Sequence, residues 1–355
     1  MKAIYFVSTG AFAGKSLVAL ILGLRLRAEG RRVAYFKPVG TLPVEVDGGA
    51  TDQDALFLAE QLEVPAPASA LCPVLFTERL AEQALAGTLG PLQDQVKQAF
   101  ARISADQDVV LVGGVGDLSR GALLGLPASV VAELLGAQVI LVAKYVSDSS
   151  VEEILLVPRL LGRRLRGVIF NFVPAAEVSR VREKVAPYLA SQGIPVLGVV
   201  PRDDLLSSVT VSELAEQLPA KVLCCENKLG ELVAHFIIGA MDVASAVRYF
   251  RERQDKAVIT GGDRPDIQLA ALQTPTKALI LTGNLHPSPV IIKRAQQVGV
   301  PILLVGKDTL STVEHIERIV GRLRVREEAK VKRAKELLES SIDFAQLYQR
   351  LGLNL

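Results

Sequence analysis

Short apolar runs alternate with segments of helical period along the first part of the chain. Six runs rich in Val, Ile and Leu lie at 3–7, 32–36, 108–112, 138–142, 167–170 and 195–200. Four segments carry apolar residues every three or four positions, at 16–29, 93–103, 149–161 and 177–192. Strands that alternate with helices are typical of parallel sheets covered on both faces. The sequence therefore predicts an α/β fold with a doubly wound, mostly parallel sheet.

A second set of strands and helices begins after residue 210. It comprises helix 211–217, strand 221–225, helix 243–254, strands 256–260 and 278–282, helix 288–298 and strand 301–305. We therefore expect a first domain over 1–205, a second, smaller α/β domain over 206–325 and a C-terminal helical tail over 326–355. The stretch 327–340 is heavily charged with a thin apolar stripe. This pattern predicts an exposed helix, or alternatively a helix that binds a partner.

The overall charge gives no reason to expect a polyanionic partner. The 355 residues include 40 basic and 38 acidic side chains, for a formal net charge of +2. The longest apolar stretch, 128–142, is interrupted by Glu133 and Gln138 and is too short to span a bilayer. Three cysteines and three histidines show neither disulfide-framework nor zinc-site spacing. We expect a cytoplasmic protein whose partners are neither nucleic acid nor membrane.

The first strand leads into a loop that opens the first helix with Gly14-Lys15-Ser16. Small residues allow backbone N–H groups to surround phosphate oxygens, and the helix N-terminus adds its dipole. Lys15 supplies a positive charge, and the Ser16 hydroxyl can hold Mg²⁺. The setting predicts a phosphate-binding loop for a nucleoside triphosphate, with ATP and Mg²⁺ as the expected cofactors. Its residues are Thr9, Gly10, Ala11, Phe12, Ala13, Gly14, Lys15 and Ser16.

The loop departs from the usual glycine spacing of a phosphate-binding loop, and this departure indicates a particular family. The first glycine of the pattern is replaced by Thr9, and Gly10 comes one place late. With this threonine and its Gly-Lys-Ser ending, the loop resembles that of dethiobiotin synthetase. It resembles still more closely the dethiobiotin-synthetase-like N-terminal domain of long bacterial phosphotransacetylases. The resemblance extends over about residues 1–205.

The resemblance implies roles for three further residues. Lys37, in a Phe-Lys-Pro segment after the second strand, would reach towards the substrate and the transferred phosphate, as a catalytic residue beside Lys15. Asp54 would help to hold Mg²⁺, and Asn171, at a strand end, would read the purine. Strand ends at the carboxyl edge are where ligands bind in open α/β sheets. The alternative for Lys37 is a solvated lysine beside a proline turn. For Asp54 it is a helix cap, a part that Asp52 could also play, and for Asn171 it is a turn residue.

One position departs from dethiobiotin synthetase at the expected metal site. The glutamate that follows the Leu-Val strand in that family is Gly113 here. The resemblance therefore implies a site with one Mg²⁺-supporting carboxylate fewer, which would bind nucleotide yet turn it over slowly. Asp117, a few residues further on, is an alternative source of that carboxylate.

The second domain resembles the DRTGG domain. The fingerprint is the segment 257–264, which includes Thr260, Gly261, Gly262, Asp263 and Arg264. One interpretation is a pocket for an anion or a second nucleotide lined by backbone N–H groups, or an interface with a protein partner or a neighbouring subunit. The other is a tight turn with Asp263 as the helix N-cap. The resemblance implies adenine-nucleotide-linked regulation, assembly, or both.

Two functions remain open from the sequence. The first is an ATP- and Mg²⁺-binding protein with a regulatory or scaffolding role coupled to the DRTGG-like domain, assembled as a homo-oligomer. The second is an ATP-dependent ligase that activates a small carboxylate or carbamate, with a slow ATPase between the two. Because no acetyltransferase domain follows in the sequence, we do not expect phosphate acetyltransferase activity. Whether the protein is an enzyme stays undecided.

Overall fold

The chain divides into two compact units. In this computed structural model, the structure describes residues 1–46, 49–321 and 328–353. Unit 1 contains Met1–Arg202 together with residues 328–353, and unit 2 contains residues 203–321. The predicted boundary at 325/326 lies outside the described residues.

Unit 1 is built on one parallel sheet. Its strands are β1 (Lys2–Val7), β2 (Val33–Phe36), β3 (Val39–Gly40), β4 (Pro43–Val46), β5 (Gly49–Asp52), β6 (Val74–Leu75), β7 (Val109–Gly113), β8 (Gln138–Lys144), β9 (Leu165–Val173) and β10 (Val196–Pro201). Six of them pair in the order β10-β9-β8-β1-β7-β2, all parallel. These six are the strands predicted from the apolar runs. The doubly wound, parallel α/β fold is confirmed.

Helices cover this sheet. They are α1 (Lys15–Ala28), α2 (Gln53–Gln61), α3 (Ala68–Leu71), α4 (Glu78–Leu85), α5 (Leu92–Ser104), α6 (Ala128–Leu134), α7 (Ser149–Leu161), α8 (Val178–Arg180) and α9 (Ala186–Ser191). A π-helical turn, Val181–Val185, joins α8 to α9, so the predicted helix 177–192 is locally widened. The short helices α2, α3, α4 and α6 were not predicted.

Unit 2 is a smaller sheet between two apolar clusters. Its strands are β11 (Val209–Thr210), β12 (Lys221–Cys224), β13 (Leu232–Val233), β14 (His235–Ile238), β15 (Lys256–Gly261), β16 (Thr276–Thr282) and β17 (Ile302–Leu304). Its helices are α10 (Val211–Gln217), α11 (Val243–Glu252), α12 (Pro265–Leu272), α13 (Pro289–Val298) and α14 (Thr309–Gly321). The main sheet has the order β12-β17-β16-β15-β14, parallel except for β12. Alternate β15 residues face opposite clusters. Val258 belongs to the cluster that contains Phe250, and Ile259 belongs to the cluster that contains Leu214.

The C-terminal residues belong to unit 1. Helices α15 (Glu328–Ser341) and α16 (Phe344–Leu351) pack on α1, β9 and β10. Ile342 forms an antiparallel bridge with Gly198 on the edge strand β10. The Arg25 guanidinium lies 4.6 Å from the centre of the Phe344 ring. The structure thus differs from an exposed tail, because the thin apolar stripe is buried together with Lys330. The solvent-facing charged residues are Lys332, Arg333, Lys335, Glu336 and Glu339.

No helix within the described residues combines the length and the apolar character needed to cross a membrane.

Candidate functional site

The loop between β1 and α1 surrounds the N-terminus of that helix. Phe12 (φ 57°) and Gly14 (φ 90°) adopt left-handed conformations that turn the chain into α1. A Cβ at Gly14 would lie 2.2 Å from Nδ2 of Asn171, so only glycine fits there. Within the described residues no side chain caps α1. Its first N–H groups and its dipole are therefore directed at the loop, as an anion site requires.

The other loop residues lie around this helix end. Thr9 and Gly10 are half-buried, Ala11 is exposed and Ala13 is buried. Ser16, the second residue of α1, is half-buried. The predicted loop residues are thus together at the carboxyl end of β1. Their binding of phosphate and Mg²⁺ stays a prediction.

Lys15 is held inside the site by neutral oxygen atoms. Its Nζ donates to Ser8 Oγ at 2.7 Å and to the Gly116 carbonyl at 2.6 Å. Burial, with the nearby charge of Lys37, lowers the pKa of Lys15 to about 8. The charges of Asp117 and Asp54 act in the opposite direction. The structure therefore brings Lys37, Asp54 and Asp117 together around Lys15.

Lys37 forms a buried ion-pair cluster beside it. Its Nζ lies 2.6 Å from Asp52 Oδ1 and 3.2 Å from Asp54 Oδ2. Burial alone would lower the pKa of Lys37, but the charges of Asp54 and Asp52 outweigh it and raise the pKa above its ordinary value. Lys37 is consequently a fixed positive charge and not a solvated lysine beside a proline turn.

The two aspartates of this cluster have different environments. Asp52 is fully buried and is the N-cap of α2, with Oδ1 accepting from the backbone N–H groups of Asp54 and Ala55. Its Oδ2 accepts from the N–H groups of Thr41 at 2.9 Å and Leu42 at 3.0 Å. Both carboxylate oxygens of Asp52 therefore already accept hydrogen bonds, and the residue stabilises the fold. The Asp54 side chain is 43% exposed, so it is the carboxylate with room to ligate a metal.

A tyrosine fills the space beside Gly113. A Cβ at Gly113 would lie 1.9 Å from the hydroxyl oxygen of the buried Tyr35. A glutamate at this position would require Tyr35 to move. Asp117, the alternative carboxylate, uses Oδ1 to accept from Ser119 N and Oγ and from Arg120 N, which caps a turn. Burial would raise the pKa of Asp117, but these hydrogen bonds lower it overall, so it stays ionised.

This contact predicts a compensating pair of substitutions. We expect Gly113→Ala to lower the free energy of unfolding by about 1–3 kcal/mol, because the added methyl overlaps the Tyr35 hydroxyl. Tyr35→Phe removes that oxygen but leaves Cζ, which would lie 2.8 Å from the added Cβ, so the double variant should recover part of the loss. Chemical denaturation of the four proteins gives the coupling energy. If the two single variants lose stability additively in the double variant, the predicted contact between residue 113 and Tyr35 is wrong.

Asn171 is bonded to the phosphate-binding loop. Its Nδ2 donates to the Ala13 carbonyl at 3.0 Å, and its Oδ1 accepts from the Phe172 N–H at 2.9 Å. Lys144, at the end of β8, lies 5.5 Å from the centre of the Phe172 ring. The amide therefore joins the end of β9 to the loop. Its role in reading a purine stays a prediction.

The DRTGG-like segment forms a tight turn at the carboxyl end of β15. A Cβ at Gly262 would lie 1.8 Å from the Leu285 carbonyl oxygen, so this glycine permits close approach of the next loop. Arg264 makes two contacts of 3.2 Å with the Asp266 carboxylate. The N-cap of α12 is Arg264, so the alternative with Asp263 as N-cap is wrong.

Two further polar side chains at this turn donate to backbone carbonyls. Thr260 Oγ1 donates to the Gly239 carbonyl at 3.2 Å, and Gln268 Nε2 donates to the Gly261 carbonyl at 2.9 Å. The wholly buried Gln268 was not predicted as part of this turn, and its position one turn inside α12 was the sequence feature that could have indicated it. Ligand or interface roles for Thr260, Gly261, Gly262, Asp263 and Arg264 stay predictions.

Comparisons with known proteins agree with this architecture. A family model described as AAA domain matches residues 2–210, and one described as DRTGG domain matches residues 213–319. A phosphate acetyltransferase from Synechocystis sp. is 25% identical over 367 residues, covering 99% of this chain and 52% of that protein. An ATP-dependent dethiobiotin synthetase from Caldicellulosiruptor saccharolyticus is 28% identical over 122 residues, covering 34% of this chain and 50% of the relative.

Among solved structures, cobyrinic acid a,c-diamide synthase from Mycobacterium smegmatis with bound ADP and magnesium is 16% identical. The similarity covers 57% of this chain and 87% of that one, with a TM-score of 0.35. The chain spans about half the length of the curated relatives it matches. Because the AAA domain model covers more than half of the sequence, the chain belongs to that family, with a dethiobiotin-synthetase-like P-loop domain followed by a DRTGG domain.

Proposed function

We propose that unit 1 binds ATP with Mg²⁺, and that the chain acts as a nucleotide-responsive regulatory or scaffolding protein through its DRTGG domain. The observation that carries the proposal is the arrangement of Lys15. Its ammonium group is buried beside the uncapped end of α1, and among the described residues it is held by a hydroxyl and a carbonyl in the bonds above. A phosphate group offers stronger, charge-assisted bonds than either partner, so it can displace them.

The residues present fit a magnesium ion bound together with phosphates. The described residues contain no group of three His, Cys, Asp or Glu placed to hold a metal. Mg²⁺ in nucleotide sites is commonly held through one or two carboxylates, with phosphate oxygens and water completing the shell. The Ser16 hydroxyl and the Asp54 carboxylate would supply the protein ligands. When bound, the ion neutralises charge on the phosphate oxygens.

The alternative is an ATP-dependent ligase or a slow ATPase. It is favoured by Lys37, which is held as a permanent positive charge near Lys15 and could stabilise developing negative charge on a transferred phosphate. The regulatory proposal is favoured by the Tyr35 hydroxyl at Gly113, where the family's glutamate would stand. We therefore expect binding with little turnover.

Calorimetry of ATP, GTP, AMP and a non-hydrolysable ATP analogue, with and without Mg²⁺, tests the proposal. Lys15→Ala should weaken ATP binding roughly 10- to 150-fold, because a charge-assisted contact contributes about 1.5–3 kcal/mol. Exposed Lys97 on α5 provides the matched control, and Lys97→Ala should bind as wild type does. ADP release is followed in the same samples. Steady release would favour the ligase or ATPase, and a wild type that binds no triphosphate would refute the proposal.

The lowered pKa of Lys15 also predicts a pH dependence. Phosphate binding needs the ammonium form, and free Lys15 loses its proton as the pH rises through about 8. ATP affinity should therefore fall about tenfold between pH 7 and pH 9, with proton uptake on binding in that range. Without nucleotide, stability should rise between pH 8 and 10.5, because the unfolded lysine keeps a proton that the folded one has lost.

Calorimetry in buffers of different ionisation enthalpy measures the proton uptake directly. Lys15→Arg is the control, because arginine does not titrate in this range. Its residual affinity should be independent of pH between 7 and 9. A wild-type affinity that is equally independent of pH would show that Lys15 does not bind the phosphate.

A further inference from the structure

Phe172 lies in an irregular part of β9, next to the carboxyl end of that strand. Its φ of 56° is in the left-handed region, which a bulky aromatic residue rarely occupies. Phe170 pairs with Val199 and Val173 pairs with Pro201, so β9 contains one residue more than β10 between these pairs. Such a bulge re-aims a side chain, and strained residues are common where a protein contacts a ligand. The irregularity therefore sets the direction of the Phe172 side chain.

Asn171 fixes this conformation and joins it to the phosphate-binding loop. Its side chain is buried, with Oδ1 accepting from the Phe172 N–H at 2.9 Å and Nδ2 donating to the Ala13 carbonyl at 3.0 Å. Both ends of the amide thus bond to backbone atoms of the protein. The residue that this arrangement presents at the end of β9 is Phe172.

The Phe172 ring lies beside the phosphate-binding loop and the end of β8. A Cβ at Gly14, the N-cap of α1, would lie 3.6 Å from Cε2 of the ring. The Lys144 ammonium, at the end of β8, lies over the ring at 5.5 Å from its centre. Phe172 is half-buried, so it keeps contact with solvent. An accessible aromatic side chain therefore stands next to the loop.

The strand order puts Phe172 and the Lys37 cluster on opposite sides of β1. In the order β10-β9-β8-β1-β7-β2, Phe172 is on β9 and Lys37 directly follows β2. Asp54 lies 3.2 Å from Lys37, so the groups proposed for the metal and the terminal phosphate are on the β2 side. Ligands of open α/β sheets bind across the carboxyl ends of the strands. The β9 side of the loop is thus left for the nucleoside.

We propose that the purine base of a bound nucleoside triphosphate stacks on the Phe172 ring. Asn171 is a positioning residue, because it acts by holding this ring beside the loop. Every base has a π-face, so an aromatic ring binds it without reading its hydrogen-bonding edge. The inference rests on the proposed binding of ATP by unit 1. It assigns the contact with the base to the neighbour of the asparagine that the sequence indicated.

Calorimetry with Mg²⁺ separates the base from the phosphates, because inorganic tripolyphosphate has the phosphate chain without the base. Phe172→Ala should weaken ATP binding about 5- to 150-fold, the contribution of one base–aromatic stack, and should change tripolyphosphate binding less than about twofold. Phe172→Tyr keeps the ring, so its ATP affinity should stay within about threefold of wild type. Lys15→Ala, in contrast, should weaken the binding of both ligands.

Fluorescence of Phe172→Trp reports the stack directly, because the sequence contains no tryptophan. ATP should quench this emission, and tripolyphosphate should not. Tyr188→Trp is the control, since Tyr188 is 49% exposed on α9, which leads into the amino end of β10 at the opposite edge of the sheet. Its emission should not respond to ATP. Adding Asn171→Ala to Phe172→Trp should diminish the quench at saturating ATP, a change that a loss of affinity alone does not produce.

Three results would overturn the inference. Equal weakening of ATP and tripolyphosphate by Phe172→Ala would show that the ring supports the loop and not the base. An unchanged ATP affinity in Phe172→Ala, with Lys15→Ala impaired, would reject the stack and leave the proposed ATP binding standing. A wild type that binds neither ATP nor tripolyphosphate would reject both proposals.

Discussion

Asp52→Asn should lower the free energy of unfolding of unit 1 by about 3–5 kcal/mol, the cost expected when one partner of a buried ion pair is removed. Asp52 is fully buried and accepts from Lys37 and from four backbone N–H groups. An asparagine has the same shape but loses the charge, and its NH₂ group cannot accept. The backbone donors on that side would lose their acceptor, and Lys37 would keep only the exposed Asp54.

Asp54→Asn is the matched control for this prediction. Its carboxylate is 43% exposed and lies 3.2 Å from the same lysine, so its loss should cost less than about 1 kcal/mol. Denaturant unfolding followed by circular dichroism compares the two variants. The Asp54 variant should instead lose Mg²⁺-dependent ATP binding if the proposed site is correct. Equal losses of stability in the two variants would contradict a structural role for Asp52 and a metal-binding role for Asp54.

Removal of residues 328–353 should prevent unit 1 from reaching a stable fold. The segment contains buried apolar residues of its own, among them Leu338, Ile342, Phe344, Leu347 and Leu351. Burial of a side chain of this size contributes about 1.5–3 kcal/mol, so the sum is comparable with the whole stability of a domain, about 5–15 kcal/mol. The truncated chain should lose its cooperative unfolding transition and should be cleaved rapidly by proteases in unit 1.

A point variant separates packing from truncation. Leu338→Ala should cost about 2–5 kcal/mol, because this residue is 1% exposed. Glu339→Ala, on the exposed side of the same helix, should change stability by less than about 0.5 kcal/mol. The Tyr348 hydroxyl, which donates to Glu29 at 3.1 Å, is a second and weaker anchor. A truncated chain that melts like wild type would show that the segment is dispensable.

The parallel strands could be predicted because each is buried on both faces and therefore appears as a continuous apolar run. The region between β2 and β7 could not be predicted in the same way. Strands of two to four residues, such as Val39–Gly40 and Val74–Leu75, are too short to show a period. The antiparallel direction of β12 in unit 2 could not be predicted from the sequence either, because the spacing of apolar residues does not determine the direction of a strand.

The local part of the site was accessible from sequence, and the long-range part was not. Strand, loop and helix are consecutive around Lys15, so this local arrangement could be predicted from the order of the elements and the Gly-Lys-Ser sequence. The choice between Asp52 and Asp54 depends on N–H groups of Thr41 and Leu42, which only the folded chain brings close. The contact between Tyr35 and Gly113 joins residues far apart in sequence, and no local pattern signals it.

The discontinuity of unit 1 has a consequence during protein synthesis. The ribosome makes β10 before unit 2, and makes the helices that cover β10 only after it. At about 5–20 residues per second, the roughly 125 intervening residues take on the order of ten seconds. Throughout that time the nascent unit 1 has an uncovered sheet edge and an uncovered α1 surface, whereas the contiguous unit 2 can fold as it emerges. The domain that is translated first is thus the last to be completed.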